Sequence, residues 1–338
     1  MAFAWPPGFA RIPDDEWTRA PVESLALKYD TVNRHGWYRN LDPTVEDLAA
    51  FLRDGSLLID YSGGTGILVE RLLKRVGGLD IGIVVVDSSP KFLRLALDKF
   101  RDDPRVAFRW IRYLKERKRL EFADEVLGVP LVRRGADALA STNAIHLYYD
   151  LEETLRSWAR VLRPEARAFV QSGNIRYPNP APGDWIIDDT VDAIHRAALE
   201  VVARDDRYAR YRAVLADSKR MAAYAAFREK VFIPVRPLHD YLGAFRRAGL
   251  RVVKVETRPI EARVKEWFDF LAVYHDAILG WIGGIEKIDG RPAPEEAVKD
   301  RLAVLRAAMQ IVFDGGDSFQ CAWTYITCGM AKRRTEST

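Results

Sequence analysis

The chain has 338 residues, of which 48% are hydrophobic, so it can bury a full core and exceeds the usual size of one domain. One domain with sizeable insertions, or two domains, is therefore expected. The formal net charge is only +4 against 30% charged residues, and the charges are interspersed with hydrophobic positions. This pattern argues only weakly for a polyanionic partner such as a nucleic acid.

The cysteines and the apolar segments bear on the compartment. Cys321 and Cys328 lie on one predicted strand, where the extended chain between them spans roughly 23 Å. A disulfide needs Cα atoms within about 7 Å, so the two cannot pair with each other. No apolar run approaches the roughly 20 residues of a membrane helix, and residues 1–10 lack the features of a secretory signal. A reducing cytoplasm and no membrane association are expected.

Short apolar runs alternate with helical periodicity along most of the chain. The predicted strands are 57–60, 81–86, 106–111, 137–142, a strand from 168, 250–256 and 319–328. Helices are predicted between them, for example 67–76 and a helix from Pro90 to about Phe100. Such alternation indicates an α/β fold with a mostly parallel sheet covered on both faces.

Two long segments that interrupt this pattern are predicted to be helical insertions. The first follows the loop Pro178–Gly183, which is rich in helix-breaking residues. The chain is thus divided into an N-terminal helical cap (1–50), a core (51–176), a helical lid insertion (177–230), a continuation of the core (231–258), a second helical insertion (259–317), and a last strand with a tail (318–338).

A glycine-rich turn between the first strand and its helix is the central motif. Its sequence is Asp60-Tyr61-Ser62-Gly63-Gly64-Thr65-Gly66. Small residues there let the backbone approach a ligand closely, and the helix start offers free amides. A nucleotide-like ligand is expected there, at the carboxyl ends of the strands.

The turn and the strand after it resemble motifs of the class I S-adenosylmethionine-dependent methyltransferases. The turn resembles the first family motif, Asp-x-Gly-x-Gly-x-Gly, with Ser62 in place of the first glycine, and differs from the Gly-x-Gly-x-x-Gly of dinucleotide folds. Asp87, which closes the second strand, fits the acidic position that holds both ribose hydroxyls in that family. An alternative role for Asp87 is to cap the following helix.

The resemblance continues along the chain. Residues 137–147 look like the fourth-strand motif, Leu162-Arg163-Pro164 resembles the family's Leu-Lys-Pro-like turn, and 320–332 resembles its antiparallel seventh strand. It implies a Rossmann-like seven-stranded sheet with an antiparallel last strand, and S-adenosyl-L-methionine as cofactor. The cofactor-binding residues it implies are Asp60, Ser62, Gly63, Gly64, Gly66, Asp87, Ser88, Thr142 and Asn143.

The region after the third strand departs from the family pattern. Where the family usually has an acidic residue that contacts adenine, this chain has Arg112-Tyr113. No adenine contacts are therefore assigned, and the charged residues 115–119 are interpreted as a solvated helix face.

The sequence says less about the residues that bind the methyl acceptor. His146 is the candidate general base, because the matched motif places it near the transferred methyl group and a neutral imidazole has a suitable pKa. The alternative is a histidine hydrogen-bonded in the helix that follows the fourth strand. No metal site is predicted. Aromatic residues of the insertions are candidates for the acceptor pocket or, alternatively, for core or a homodimer interface: Trp185, Tyr208, Trp267, Phe268, Phe270, Tyr274 and Trp281.

The predicted function is transfer of a methyl group to a small-molecule acceptor in the insertions. Three alternatives remain open: a nucleic-acid methyltransferase, a nicotinamide-dependent oxidoreductase, and a protein that binds S-adenosylmethionine without turnover. The first is disfavoured because Ser141-Thr142-Asn143-Ala144 is not an Asn-Pro-Pro-Tyr type sequence and no concentrated basic patch occurs.

Overall fold

The structure, a computed structural model, describes residues 3–181 and 183–331. Pro182 of the predicted loop and the basic tail 332–338 lie outside the described residues. Within the described ranges, no helix combines the length and the apolar character needed to cross a bilayer.

Strands and helices alternate through the first half of the chain. The strands are β1 (Leu57–Tyr61), β2 (Gly82–Asp87), β3 (Val106–Trp110), β4 (Tyr113–Leu114), β5 (Arg119–Leu120), β6 (Ala136–Thr142), β7 (Leu162–Ser172), β8 (Asp184–Trp185), β9 (Leu250–Arg263) and β10 (Ser318–Met330). The helices are α1 (Ser24–Asp30), α2 (Asp42–Phe51), α3 (Ile67–Val76), α4 (Pro90–Phe100), α5 (Ala123–Arg134), α6 (Leu151–Val161), α7 (Ile187–Arg204), α8 (Arg212–Ala216), α9 (Ser218–Val231), α10 (Leu238–Arg247), α11 (Val264–Val273), α12 (His275–Leu279), α13 (Glu286–Asp289) and α14 (Glu295–Val312).

One sheet organises the molecule. Its order is β3-β2-β1-β6-β7-β10, with β9 and the short β8 both pairing with β10. The pairs from β3 to β7 are parallel, whereas β10 runs antiparallel to both β7 and β9. The α/β class, the mostly parallel sheet and its antiparallel last strand are therefore confirmed. The described sheet has eight strands rather than seven, because β8 adds a two-residue parallel pairing.

Apolar side chains cover both faces of the sheet. Leu58, Ala140 and Phe169 lie in a core shared with Trp37, Leu48 and other residues of the N-terminal segment, and we call this side the cap face. On the other face, Leu57, Ile59 and Leu139 pack with residues of α5, α6 and α10. Burial of both faces explains why β1 and β2 are continuously apolar up to Asp60 and Asp87, at or next to their last residues.

Three elements differ from the sequence-based expectations. Residues 115–119 do not form a helix: β4 and β5 form a two-stranded antiparallel ladder joined through a short 3-10 turn. Helix α5 was not predicted, because Gly128 (φ 75°) breaks its regular geometry and Pro130 follows closely. Strand β9 runs on to Arg263, seven residues beyond the expected end, because it pairs with β10 along its whole length.

The segment 177–230 divides into two different parts. Helix α7 is packed into the core, with Thr190, Ile194 and Ala198 fully buried. In α9, by contrast, Tyr224 is the buried residue of an otherwise half-buried or exposed helix. If any part of this segment moves as a lid, α9 is therefore the part to expect.

Candidate cofactor site

The glycine-rich turn leaves β1 through a run of left-handed residues. Ser62, Gly64 and Gly66 have φ angles of 65°, 55° and 78°. The amides of Ser62 and Gly63 both donate to the carbonyl of Val86, at 2.7 and 3.1 Å, which ties the turn to the end of β2. A side chain on Gly63 would overlap the Asp60 carboxylate, and one on Gly66 would lie 2.7 Å from the ring of Phe100. These glycines are therefore required by packing.

Gly64 differs from its neighbours because the space beside it is open. A Cβ atom there would meet nothing closer than Phe92, at 3.9 Å. Packing does not demand a glycine at this position, although its positive φ favours one. A residue that is small without a packing reason fits a backbone that a ligand approaches.

Asp60 is buried without a hydrogen-bond partner. Its side chain is fully buried, and neither carboxylate oxygen has a partner among the described residues. Burial, with a smaller contribution from Asp87, raises its pKa to about 7. A buried carboxylate in this state is costly unless a donor or a positive charge arrives to satisfy it. The site thus presents an unmet requirement for a cationic or hydrogen-bond-donating ligand group.

Asp87 joins the ends of the first two strands. Its Oδ2 accepts from the Gly64 amide at 2.8 Å and its Oδ1 accepts from the Ser89 amide at 2.7 Å. Burial raises the pKa of Asp87 to about 6, and the amide donors oppose that shift. An ionised carboxylate has about four acceptor positions, so capacity remains for a vicinal diol.

The helix-cap interpretation of Asp87 is wrong in its simple form. The cap of α4 is Ser89, whose Oγ accepts from the Phe92 amide at 3.3 Å. Ser88 is exposed beside it, and its carbonyl accepts from the indole of Trp110 at 3.2 Å.

The end of β6 brings the remaining predicted cofactor residues to the same edge of the sheet. Thr142 ends the strand, and Asn143 follows with a left-handed φ of 54°. Its amide donates to the carbonyl of Gln171 at 2.9 Å, and its Oδ1 accepts from the Trp323 indole at 2.8 Å. The Nδ2 atom of Asn143 is buried and has no partner among the described residues.

His146 lies in a short 3-10 turn after β6, at hydrogen-bond distance from Ser172. The Nδ1 atom is 2.9 Å from Ser172 Oγ, and the backbone amide of Asn174 donates to the same oxygen at 3.0 Å. Burial, reinforced by the nearby positive charge of Arg236, lowers the pKa of His146 to about 4. The imidazole is therefore neutral near pH 7, and its role as a general base stays a prediction.

The N-terminal segment covers the turn. Tyr29 stacks on Phe92 at 4.9 Å between ring centroids, and Asp30 accepts a 2.6 Å hydrogen bond from Thr65 of the turn. Burial raises the pKa of Tyr38. Trp37 stacks on Trp323 at 5.8 Å. The cap thus supplies residues to the site that the sequence motifs do not mark.

Tyr148 is a site residue that sequence reasoning missed. Its hydroxyl lies 3.0 Å from Ser62 Oγ and 2.8 Å from Ser141 Oγ. This bridge gives a physical reason for a serine where the resembling family has a glycine, because the serine side chain stabilises a left-handed backbone through the tyrosine. The only signal in the sequence is that departure from the motif.

The predicted acceptor aromatics do not form one cage. Trp267 and Trp281 are buried in the core, and the Trp267 indole donates to Thr190 Oγ1 at 3.1 Å. Tyr208 is also buried, whereas Trp185, Phe268, Phe270 and Tyr274 are half-buried. Cys321 and Cys328 are buried free thiols, as their spacing predicts.

Comparison with known proteins places this site in a family. Residues 59–170, which contain the turn, Asp87 and the end of β6, match the model of a methyltransferase domain. This part of the chain is therefore similar to a methyltransferase domain.

Curated relatives match parts of this chain. A ubiquinone/menaquinone biosynthesis C-methyltransferase of Idiomarina loihiensis is 29% identical over 152 residues, or 44% of this chain and 55% of the relative. One from Coxiella burnetii is 27% identical over 230 residues, which are 63% of this chain and 81% of the relative. The chain thus spans about half the length of the first of these relatives. The YcgJ protein from Bacillus subtilis aligns with 87% of this chain and 99% of its own at a TM-score of 0.48 and 12% identity.

The residues present fit S-adenosylmethionine. The orphaned carboxylate of Asp60 suits a cationic group, and the spare acceptor positions of Asp87 suit a diol. The open space beside Gly64 admits a ligand against the backbone. The adenine contacts stay unassigned, since Arg112 pairs with Asp15 at 2.8 Å and Tyr113 is exposed.

Proposed function

We propose that this chain transfers the methyl group of S-adenosylmethionine to a small-molecule acceptor bound at the carboxyl edge of the sheet. The observation that carries the proposal is the Asp60 carboxylate, which is fully buried and unpartnered beside the left-handed glycine turn. Such a group destabilises the protein on its own, and a cofactor with a positively charged group would compensate for it.

The division of labour follows from the residues. When bound, the cofactor supplies an electrophilic methyl group on a sulfonium. The chain's own task is to align the acceptor and exclude water. The N-terminal segment and the second insertion suit that task, because Trp37 packs edge-on against Trp267 and Phe270, at 5.2 and 5.4 Å between centroids.

Carbon is the first candidate for the methylated atom. The two curated relatives described above are named as C-methyltransferases of quinone biosynthesis, and we carry this over only as a direction for choosing acceptors. For an acceptor that loses a proton, His146 is the candidate base, with Nδ1 held by Ser172 at 2.9 Å.

Product labelling tests the proposal. We expect the purified protein, incubated with methyl-labelled S-adenosylmethionine and a small-molecule extract of its source organism, to transfer the label to a small product seen by mass spectrometry. The Asp60→Ala variant should lose this transfer. Label on nucleic acid instead would favour a nucleic-acid methyltransferase. Nicotinamide turnover without label transfer would favour an oxidoreductase. Tight cofactor binding without any labelled product would favour a binding protein.

A further inference from the structure

Two carboxamide side chains are buried without partners on the cap face of the sheet. Asn40 and Gln171 are both fully buried. Among the described residues, neither the oxygen nor the nitrogen of either amide has a hydrogen-bond partner. Each such group costs about 1 to 3 kcal/mol when left unsatisfied, so four orphaned atoms in two side chains call for an explanation.

Strand register places Gln171 beside the cofactor residues. Gln171 pairs with Thr142 on β6 and with Tyr325 on β10, so the three form one row across the sheet. The row below contains Ala140 and Phe169, and Asp60 pairs with Ala140. Because side chains two residues apart share a face, Asp60 and Gln171 lie on the same side of the sheet. Gln171 is therefore displaced from the cofactor turn along the carboxyl edge, toward β10.

Tyr325 connects this row to the N-terminal segment. Its hydroxyl donates to the backbone carbonyl of Asn40 at 2.8 Å. Asn40 belongs to the 3-10 segment Gly36–Leu41, in which Trp37 stacks on Trp323 of the same strand. The Trp37 indole nitrogen is also buried without a partner. The segment therefore covers the Gln171 row and brings one more unused donor to it.

Apart from Asp60, whose carboxylate the positive group of the cofactor would satisfy, the charged groups described near this row are already paired. Arg258 lies over the ring of Tyr325 at 5.7 Å, and its Nε donates to Glu256 at 2.6 Å. Arg71 donates to the Tyr38 carbonyl at 3.0 Å and to Asp42 at 2.9 Å. A ligand with a net charge would find no free counter-charge among these groups, and burying it would be costly.

We propose that Asn40 and Gln171 bind the methyl acceptor, and that the acceptor is an uncharged molecule with neighbouring oxygen functions, such as a hydroxyl beside a carbonyl or a second hydroxyl. Each amide offers one donor group and one acceptor atom, which matches a hydroxyl and a carbonyl oxygen in one plane. This proposal rests on the proposed function, since it names the substrate class of that site.

Isosteric apolar replacements test the proposal first through stability. If the amides await a ligand, Gln171→Met and Asn40→Leu replace buried orphaned amides by apolar groups of similar shape, so both variants should unfold at higher urea concentration than the unliganded parent. Gln310→Met, at an exposed position of α14, is the matched control and should leave the midpoint unchanged. Midpoints that fall in both site variants would show that the amides are satisfied, for instance by bound water, and would overturn the proposal.

Probe binding tests the substrate class. Catechol, benzoate and benzylamine are titrated by ligand-detected NMR against the protein loaded with S-adenosylhomocysteine. We expect catechol to bind the parent and the Gln310→Met control, to bind at least tenfold more weakly to Gln171→Met and Asn40→Leu, and to bind more tightly than either charged probe. Equal catechol binding by all four proteins, no catechol binding to the parent, or a preference for a charged probe would overturn the proposal.

The same titrations separate this proposal from the proposed function. The affinity of all four proteins for S-adenosylhomocysteine is measured first. It should be unchanged, because Asn40 and Gln171 lie outside the glycine-rich turn and neither of them replaces Asp87 as a cofactor residue. A parent that fails to bind S-adenosylhomocysteine would count against the proposed function itself, whatever the probes do.

Discussion

We expect Asp87 to bind the cofactor ribose, and a pair of substitutions separates this role from the capping of α4. Asparagine has a single carbonyl oxygen, so in Asp87→Asn one of the two amide donors, Gly64 or Ser89, would lose its acceptor. We expect cofactor affinity to fall by about 1.5 to 3 kcal/mol, the usual range for hydrogen bonds to a charged group. This is roughly a ten- to hundredfold loss, measured by calorimetry with S-adenosylmethionine.

Ser89→Ala is the control for Asp87. It removes the cap of α4 and should cost about 1 kcal/mol of folding free energy with nearly unchanged affinity. An Asp87→Asn protein that binds the cofactor as tightly as the parent would refute the ribose role of Asp87.

Asp60 makes the stability of the unliganded protein depend on pH. Its pKa of about 7 exceeds the usual value near 3.8, so the folded protein holds a proton that the unfolded chain releases between these values. Its contribution to stability therefore falls as the pH rises from about 4 to about 7. Asp60→Asn removes this dependence. Relative to the parent, the variant should gain about 2 to 3 kcal/mol between pH 5 and pH 8, at about 1.4 kcal/mol per pKa unit.

Urea unfolding of both proteins at the two pH values measures this difference. The constant cost of burying an asparagine amide cancels, because only the change with pH is compared. A stability difference that is the same at pH 5 and pH 8 would show that Asp60 titrates as an ordinary carboxyl group.

At the scale of elements, the glycine turn is the part that a single side chain should disable. Gly64 has a φ of 55° and open space at its Cβ, so Gly64→Val adds backbone strain of about 1 to 3 kcal/mol and blocks the approach of a ligand. We expect cofactor binding to be abolished while the chain remains folded, as judged by calorimetry and circular dichroism.

Gly290→Val is matched to this change. Gly290 also has a positive φ, of 69°, and open space around it, but it ends α13 far along the chain from the turn. In Gly290→Val the backbone strain should be similar to that in Gly64→Val, and the affinity for the cofactor should be normal. Normal affinity in Gly64→Val would place the ligand elsewhere.

The elements also show what the sequence can predict. Strands such as β1 and β2 were predicted because burial on both faces makes them continuously apolar, and the turn between β1 and α3 was predicted because it needs glycines. Helix α5 was missed because Gly128 interrupts its pattern. The end of β9 was missed because pairing with β10, rather than local composition, sets its length.

Some residues of the site can likewise be predicted from the sequence, and others cannot. Asp60 and Asp87 were predicted because each closes a strand at the ligand-binding edge. Tyr148, Asn40 and Gln171 were not, since their roles depend on tertiary contacts: a bridge between two serines, a segment folded over the sheet, and a row across three strands. No local pattern in the sequence marks such contacts.

At the scale of the whole molecule, one surface groove lies away from this site. This groove, of about 1260 Å³, is lined by residues such as Leu162, Arg167 and Gly329 at the opposite edge of the sheet. We propose that the function depends on what the carboxyl edge binds, where the N-terminal segment packs against the second insertion through Trp37 and Trp267.

Calorimetric titration of the unliganded protein with S-adenosylmethionine, S-adenosylhomocysteine and NAD(H) tests this central claim most directly. The account predicts saturable binding of the first two compounds at one site per chain, and no binding of the nicotinamide cofactor. Heat with NAD(H) and none with either S-adenosyl compound would contradict it.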